Sequence, residues 1–502
     1  MHGDNLYNVS GDLKIIVPLN SETYAGAVDF SMGNLKKIYS GIFRDGGAGN
    51  AARRRYRERR KKLMKREGKL MAITGVPYGP GQETVWSYAH CPTYQEPAIM
   101  YLTGVNQPNV ILLLDPGSKE SDEILFVDKK DSSKEFWDGV RFGVGDPKSI
   151  REVRRVTGVR DVRGIQSFGE VLKVRFKKRR SKKLGTLWME GVWNGKIREI
   201  KTDHNGKFKA RLVRCLRSLG GSAPVLCNIM KSHFELRLPL DSHDVENTLD
   251  AQKIAGKAFK ETLRNFYRFQ KEYQVQGFLE GRMLEESPYG LSFPSIIASG
   301  KNATVLHYVK NDDSFSHNEL ALLDFGVRWM TMHADISRTI PVSGKFNPMQ
   351  KMLYEIVLRA QSAVQRKARK GVTIDELNDS CWGSINRGLE RVFREAGGEF
   401  KLKYKERPHG VSHLMGEQEH DGDPFRNYTK EPMREGWVIS NEPGLYGQFY
   451  IRLNGRVYDE EIGIRVEDNL LITKTGCRNL SRSIPKTVGQ IERLMSHKNR
   501  GR

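Results

Sequence analysis

The chain has 502 residues, 38% hydrophobic and 28% charged, with a formal net charge of +23; single cores stop growing at roughly 250–300 residues, so more than one domain is expected. No apolar run approaches the ~20 residues that span a bilayer, which excludes a membrane-spanning protein. The basic excess attracts polyanions without specifying a fold, and five scattered cysteines without CxxC spacing argue against a disulfide framework or a cysteine zinc site. The opening MHGDNLYNVSGDLKIIVPLN, with acids at Asp4 and Asp12, lacks the basic start and apolar core of a secretory signal, so a cytoplasmic location is expected.

In chain order, residues 1–50 read as an N-terminal extension ending in the glycine-rich break FRDGGAGNAA. ARRRYRERRKKLMKREG (52–68) reads as a solvated amphipathic helix opening a domain, with Tyr56, Leu63 and Met64 as its apolar contacts. From 69 to 143 the runs LMAITGV, AIMYLTGV, NVILLLDP and EILFV alternate with turn residues, the pattern of a mostly parallel or mixed sheet with helices. Between 145 and 240, LGTLWMEGVWNGKIREI reads as strands, KFKARLVRCLRSLGG as a basic helix ended by glycines, and APVLCNIM as a buried strand. KVRFKKRRSKK (173–183) reads as an exposed loop or strand edge, the place where nucleic acid would bind, although no zinc-finger or RNP pattern supports such binding. From 241 the sequence turns helical, with Leu249, Ile254, Ala258, Leu263 and Phe266 near helical spacing. Strands PSIIASG and TVLHYV follow, then a helix FNPMQKMLYEIVLRAQSAVQRKARKG, a second ending near GLERVFREAGG, and C-terminal strands. The expected division is an extension (1–50), an α/β domain with a basic insertion (51–235), a second domain (236–495) and a basic tail (496–502).

The second half gathers acids and histidines. LLDFGVRWMTMHADISRTIPVSGKF (322–346) carries Asp324 and Asp335, which two antiparallel strands turning about Trp329 and Met330 would set opposite one another. Like charges so opposed require a proton, a cation or a metal between them, unless Arg328 or Arg338 pairs with them instead. In WVISNEPGLY, Glu442 ends an apolar strand, and in EEIGIRVEDNLLIT, Ile464 and Val466 face one side while Arg465 and Glu467 face the other. HGVSHLMGEQEH supplies His409, His413 and His420 but is not an HExxH zinc helix, because Gly410 stands where the glutamate is needed.

LLDFG, HADISRTIPVSGKF, HGVSHLMG, EHD, SNEPGLY and IGIRVEDNLLIT together resemble the aminopeptidase P and prolidase family of metallopeptidases over about 240–495, and RRRYRERRKKLM, YLTGVNQPNVILLL and FWDGVRFG resemble its N-terminal domain more weakly. The resemblance implies an N-terminal α/β domain followed by a pita-bread catalytic domain, an α/β (α+β) chain. It implies that Asp324, Asp335, His413, Glu442 and Glu467 hold two divalent ions, with Asp335 and Glu467 bridging them. The oxygen-rich set favours manganese, with zinc or cobalt able to substitute. It further makes Glu442 the proton shuttle, His307 (in ASGKNATVLHY), His409 and His420 the substrate-side histidines, and Arg465 the residue that orients the site. The function implied is an Xaa-Pro aminopeptidase acting on proline-containing peptides, as a dimer or tetramer; a prolidase and a non-catalytic peptide-binding module are the alternatives. The chain departs from the family pattern at Lys301, where an acid is usual, and at Glu417 and Glu419, where apolar residues are usual. Those two glutamates must be paired or wet, and at the mouth of a pocket they would favour a basic first residue.

Overall fold

The structure is a computed structural model describing residues 50–496, apart from 78–94, 139, 194–195, 202, 220–223, 396–398, 423–426 and 454. The expected glycine-rich break, nearly all of the basic tail and Cys91 lie outside the described residues; Cys215, Cys227, Cys381 and Cys477 are free thiols. Among the described residues no helix is long and apolar enough to cross a membrane.

The basic run opens the described chain as the helix Asn50–Glu67, with Tyr56, Leu63 and Met64 buried as its spacing predicts. It also buries cations that amphipathic patterning does not foresee. Arg60, fully buried, donates to the carbonyls of Leu102 (2.7 Å) and Thr157 (2.9 Å) and pairs with Glu123 at 2.9 Å, so its charge is compensated where water is excluded.

The helix packs beside a mixed sheet of β1 (Leu70–Thr74), β2 (Ile111–Leu114), β3 (Glu123–Val127), β4 (Asp161–Gly164), β5 (Lys183–Thr186) and β8 (Val225–Asn228), in the order β4-β3-β2-β1-β5-β8, with β6 (Glu190–Trp193) and β7 (Lys196–Glu199) as a separate hairpin. Strand periodicity sorts the side chains into two layers. Leu70, Ala72, Ile111, Leu113, Ile124 and Phe126 meet the helices Phe168–Lys178 and His204–Arg217, while Met71, Ile73, Leu112, Leu114, Leu125 and Val127 join the large core that continues into the second half. AIMYLTGV is not a strand of this sheet. It forms the helix Pro97–Thr103, started by proline and the Glu96 side chain and ended by Gly104 in the left-handed conformation.

The run 173–183 is likewise corrected from loop or strand edge to the end of the helix Phe168–Lys178 and its exit into β5. Half of its eight cations are ion-paired: Lys173 with Glu170, Lys178 with Glu120, and Arg175 and Arg179 with Asp115. That leaves less unpaired charge for a polyanion than the sequence suggests.

The second half opens with the helix Ser242–Asn265, capped by Asp241, and the helix Glu272–Leu284. Strands β9 (Ile296–Ser299), β10 (Leu320–Phe325) and β13 (Ile336–Pro341) form one sheet, and β11 (Arg328–Trp329) and β12 (Met332–His333) extend the hairpin between β10 and β13. The helices Pro348–Lys367 and Ile374–Glu395 follow. Then come β14 (Phe400–Tyr404), β15 (Leu414–Met415), β16 (Val438–Asn441), β17 (Gly444–Leu453), β18 (Arg456–Arg465), β19 (Asp468–Ile472), β20 (Cys477–Asn479) and the helix Val488–Met495. The sheets run β14-β17-β18 and β15-β16-β19-β20.

TVLHYV, expected as a strand, is a 3-10 turn (Gly300–Thr304) and loop. Glu272, wholly buried, gathers this segment by accepting from Ser299 N–H and Oγ (2.8 Å each), Tyr308 Oη (2.8 Å) and Asp313 N–H (3.0 Å). Donors converging on one buried carboxylate outweigh the strand propensity of a short apolar run.

The hairpin register also differs from expectation. Asp324 stands opposite Ser337, and the tight turn is Met330–Thr331, with Met330 at φ 55° in the left-handed region. A turn centred one residue later moves the partner of Asp324 by two, so Asp335 becomes its diagonal neighbour on the same face. The position facing Asp335 falls to Gly326, where a Cβ would lie 2.0 Å from the Ala334 carbonyl oxygen. Gly326→Ala is therefore expected to lower the unfolding free energy by more than about 2 kcal/mol, read by urea denaturation, because the clash is with the Ala334 backbone, which cannot swing aside as a side chain would.

Candidate functional site

Strand ends converge on one cleft. Of the four acids expected inside strands, only Asp324 is: Asp335 precedes β13, Glu442 follows β16, and Glu467 sits between β18 and β19, with His413 immediately before β15. Leaving the ladder frees backbone groups to tie the sheets together. Glu467 N–H donates to Ser337 O (2.9 Å) and Glu442 N–H to Val411 O (3.0 Å). Asp335 N–H donates to Asn469 Oδ1 (3.2 Å), whose amide returns a bond to Asp335 O (2.8 Å).

Asp335, His413 and Glu467 each offer a ligand atom, all within 4.8 Å of one another. His413 Nε2 lies 3.4 Å from Asp335 Oδ2 and 3.5 Å from Glu442 Oε1. Burial, then the repulsion of neighbouring acids, pushes Asp335 and Glu467 well above the usual carboxylate range. Burial pushes Glu442 up too, but His409, His413 and Arg465 outweigh it and hold this acid below its ordinary value. Asp324 Oδ1 and Glu467 Oε1 are buried without a hydrogen-bond partner. Unpartnered carboxylate oxygens aimed at a shared space are the donor set that hard divalent cations take, so these residues fit a metal centre.

Arg465 is the one guanidinium among the described residues lining the cleft. It donates through Nη2 to Asp324 Oδ2 (2.5 Å), through Nε to Ser337 Oγ (2.8 Å) and through Nη1 to Tyr446 Oη (3.3 Å). Ser337 Oγ donates onward to Glu467 Oε2 (2.9 Å), and Tyr446 Oη lies 3.0 Å from His409 Nε2. Sequence reasoning missed both Ser337 and Tyr446: the expected register put Asp335 where Ser337 stands, and Tyr446 read only as the end of SNEPGLY.

His307, His409 and His420 border the same cleft of ≈380 Å³, whose apolar wall includes Phe293, Pro294, Ile296, Leu306 and Val309. The structure thus brings together every residue given a metal, proton-transfer or substrate-side role from the sequence, although at different depths. His409 is held inside by Tyr446, while His307 and His420 are exposed at the rim, the His420 ring 4.2 Å from that of His413. Lys301 is exposed and does not border the cleft.

Glu417 and Glu419 part company. The loop they share is closed by Asp421 N–H on Leu414 O (2.9 Å). Glu419 lines the cleft, whereas Glu417 points into the protein, 3.7 Å from Arg237 Nη1, and Arg237 makes its direct hydrogen bond to Asp421. Only one of the two expected acids therefore stands at the pocket. Burial pushes Glu417 up to about 8 although Arg237 and Arg59 pull it down, and burial pushes Glu419 up to about 7 against the pull of His413.

Residues 246–474 match the model of metallopeptidase family M24, and residues 56–184 match that of the aminopeptidase P N-terminal domain. The chain is 29% identical over 422 residues to the Xaa-Pro aminopeptidase of Haemophilus influenzae, covering 81% of this chain and 89% of that protein. It is 28% identical over 471 residues to Xaa-Pro aminopeptidase 3 of Dictyostelium discoideum, covering 88% and 83%. The structure of Pseudomonas aeruginosa aminopeptidase PepP is similar with a TM-score of 0.71 at 25% identity, covering 88% of this chain and 98% of that one.

Arg237 lies between the two matched segments, yet it meets the loop that carries Glu417 and His420. Because Glu417 keeps its proton in the fold and loses it in the unfolded chain, stability from this group is full below about pH 4.5 and is lost as pH rises to about 8. Glu417→Gln, which cannot ionise, should show a shallower fall of Tm than the parent over that window in paired thermal melts.

Proposed function

Since the chain belongs to metallopeptidase family M24 and carries an aminopeptidase P N-terminal domain, we propose that it is a metal-dependent aminopeptidase that releases the first residue from peptides with proline in second position. The observation that carries this reading is the cleft itself, where four carboxylates and an imidazole surround space that two buried oxygens face without partners. Five intact ligand groups weigh against a module that only binds peptides, and the matched N-terminal domain favours an aminopeptidase over a dipeptidase.

In this reading Asp324, Asp335, His413, Glu442 and Glu467 would hold two divalent ions. The oxygen-dominated set suits manganese, with zinc or cobalt as substitutes. Two such ions supply Lewis acidity, polarising the scissile carbonyl and activating water. Glu442, whose carboxylate the Arg465 guanidinium favours in its ionised form against burial, takes the proton of the attacking water and passes it to the proline nitrogen that leaves.

Around it, His409 is kept neutral chiefly by burial. Its Nδ1–H donates to Gly410 O (2.9 Å) and its Nε2 accepts from Tyr446, a tautomer set by these partners. Arg465 fixes Tyr446, Ser337 and Asp324 together and so orients the site, while His307 and His420 at the rim meet the substrate, His420 steadying its carbonyl.

The protein loaded with manganese should hydrolyse Arg-Pro-Pro faster than the dipeptide Ala-Pro, and a strong chelator should abolish the activity until manganese is returned. Full activity of metal-free protein would sink the reading. Glu467→Ala should lose bound metal by elemental analysis together with at least ~100-fold of kcat/KM, since removing a shared ligand perturbs the metals more than the 10–100-fold typical of outer partners.

A further inference from the structure

The carboxylates of the cleft differ in depth and in company. Asp335 and Glu467 are 4% and 2% exposed at the floor, whereas the Glu419 side chain is 26% exposed on the loop that forms the rim. The deep acids are accounted for by the metal roles proposed above and by Arg465, whose Nε, Nη1 and Nη2 are engaged by Ser337, Tyr446 and Asp324. Glu419 has no such role. Its Oε1 lies 3.5 Å from His420 Nε2, and among the described residues no lysine or arginine is ion-paired with it. Arg237, which approaches the same loop, meets Glu417 and Asp421 instead. The cleft therefore presents, near its mouth, a half-desolvated acid whose natural complement is a cation brought by whatever enters.

A peptide entering this cleft carries two kinds of cation at its first residue. The α-ammonium is two bonds from the scissile carbonyl carbon, so it stays at the depth of the acid floor once that carbonyl reaches the metals. A lysine or arginine side chain extends several ångströms further from that carbonyl, so its charge can reach past the floor to an acid on the lining loop. Resting on the aminopeptidase reading above, we propose that Glu419 is a specificity-determining residue that recognises a lysine or arginine side chain on the residue the enzyme releases. Opposite charges meeting in a partly desolvated cleft favour binding and suppress acidic competitors, which would face Glu419 as like charges.

The probes are Lys-Pro-Pro, norleucine-Pro-Pro, which has a chain of similar length without the charge, and Glu-Pro-Pro. Each is measured for kcat/KM and, by calorimetry under non-turnover conditions, for Kd. The parent enzyme should favour the lysine peptide over the norleucine peptide by about tenfold, a difference of about 1.4 kcal/mol. Glu419→Gln should bring that ratio to within about twofold of unity, and Glu419→Lys should turn the preference towards the glutamate peptide. A lysine-to-norleucine ratio equal in parent and Glu419→Gln overturns the proposal. So does an equal weakening of all three peptides, which would assign Glu419 to the common amino terminus, and so does loss of bound metal from Glu419→Gln, which would make it a ligand. If the parent hydrolyses none of the peptides, the aminopeptidase reading falls, and the Kd ratios still decide the role of Glu419.

Discussion

Mutual repulsion among buried carboxylates is the constraint around which the second half of this protein is arranged. Asp324, Asp335, Glu442 and Glu467 line one cleft, and for Asp335 and Glu467 the neighbouring acids add to burial in opposing the charged form. A fold that holds such a group must restrain it from several sides. Here the restraint comes largely from strand ends: Asp335, Glu442 and Glu467 sit where β13, β16, β18 and β19 begin or stop, so their backbone N–H groups bind Asn469, Val411 and Ser337 across sheets, while Asp324 stays in the ladder of β10. One guanidinium, Arg465, ties Asp324 to Ser337 and Tyr446. What remains are oxygens of Asp324 and Glu467 without hydrogen-bond partners, the donor type that hard divalent cations take.

Much of this was legible in the sequence because the chemistry is carried by residue types that are uncommon in apolar strands. An acid at the end of WVISNE or within LLDFG contradicts its surroundings, and that contradiction marks the site. The strands of the first sheet were readable for the opposite reason, since LMAIT, ILLL and EILFV are buried on both faces. AIMYLTGV, a short apolar run, fits a buried helix as well as a buried strand, and only the capping by Glu96 and Gly104 distinguishes them. TVLHYV was misread because its conformation is decided by Glu272, which is some thirty residues away in sequence.

Details of pairing were less legible than composition. The position of the turn at Met330 decided which residue faced Asp324, and a shift of one residue there exchanged Asp335 for Ser337. Glu417 and Glu419 look equivalent in the sequence, two apart in one loop. A strand would have pointed them the same way, but the loop closed by Asp421 turns one towards Arg237 and the other towards the cleft. Similarly, nothing in the spacing of the basic helix Asn50–Glu67 marks Arg60 as buried, because its acceptors are carbonyls at residues 102 and 157.

The contact of Arg237 with Glu417 and Asp421 bears on whether the two halves are separable modules. One face of the first sheet belongs to the same continuous apolar cluster as Phe259 and Leu353 in the second half. Removing the residues before 240 would therefore take away the guanidinium that pairs with buried Asp421 and approaches Glu417, and would uncover an apolar surface, in contact with the loop that borders the cleft. The halves are in this sense one cooperative unit. Loosening of the amino-terminal sheet by heat, denaturant or proteolysis reaches the cleft directly, so the chemistry is lost in the same transition as the sheet that contributes no residue to it.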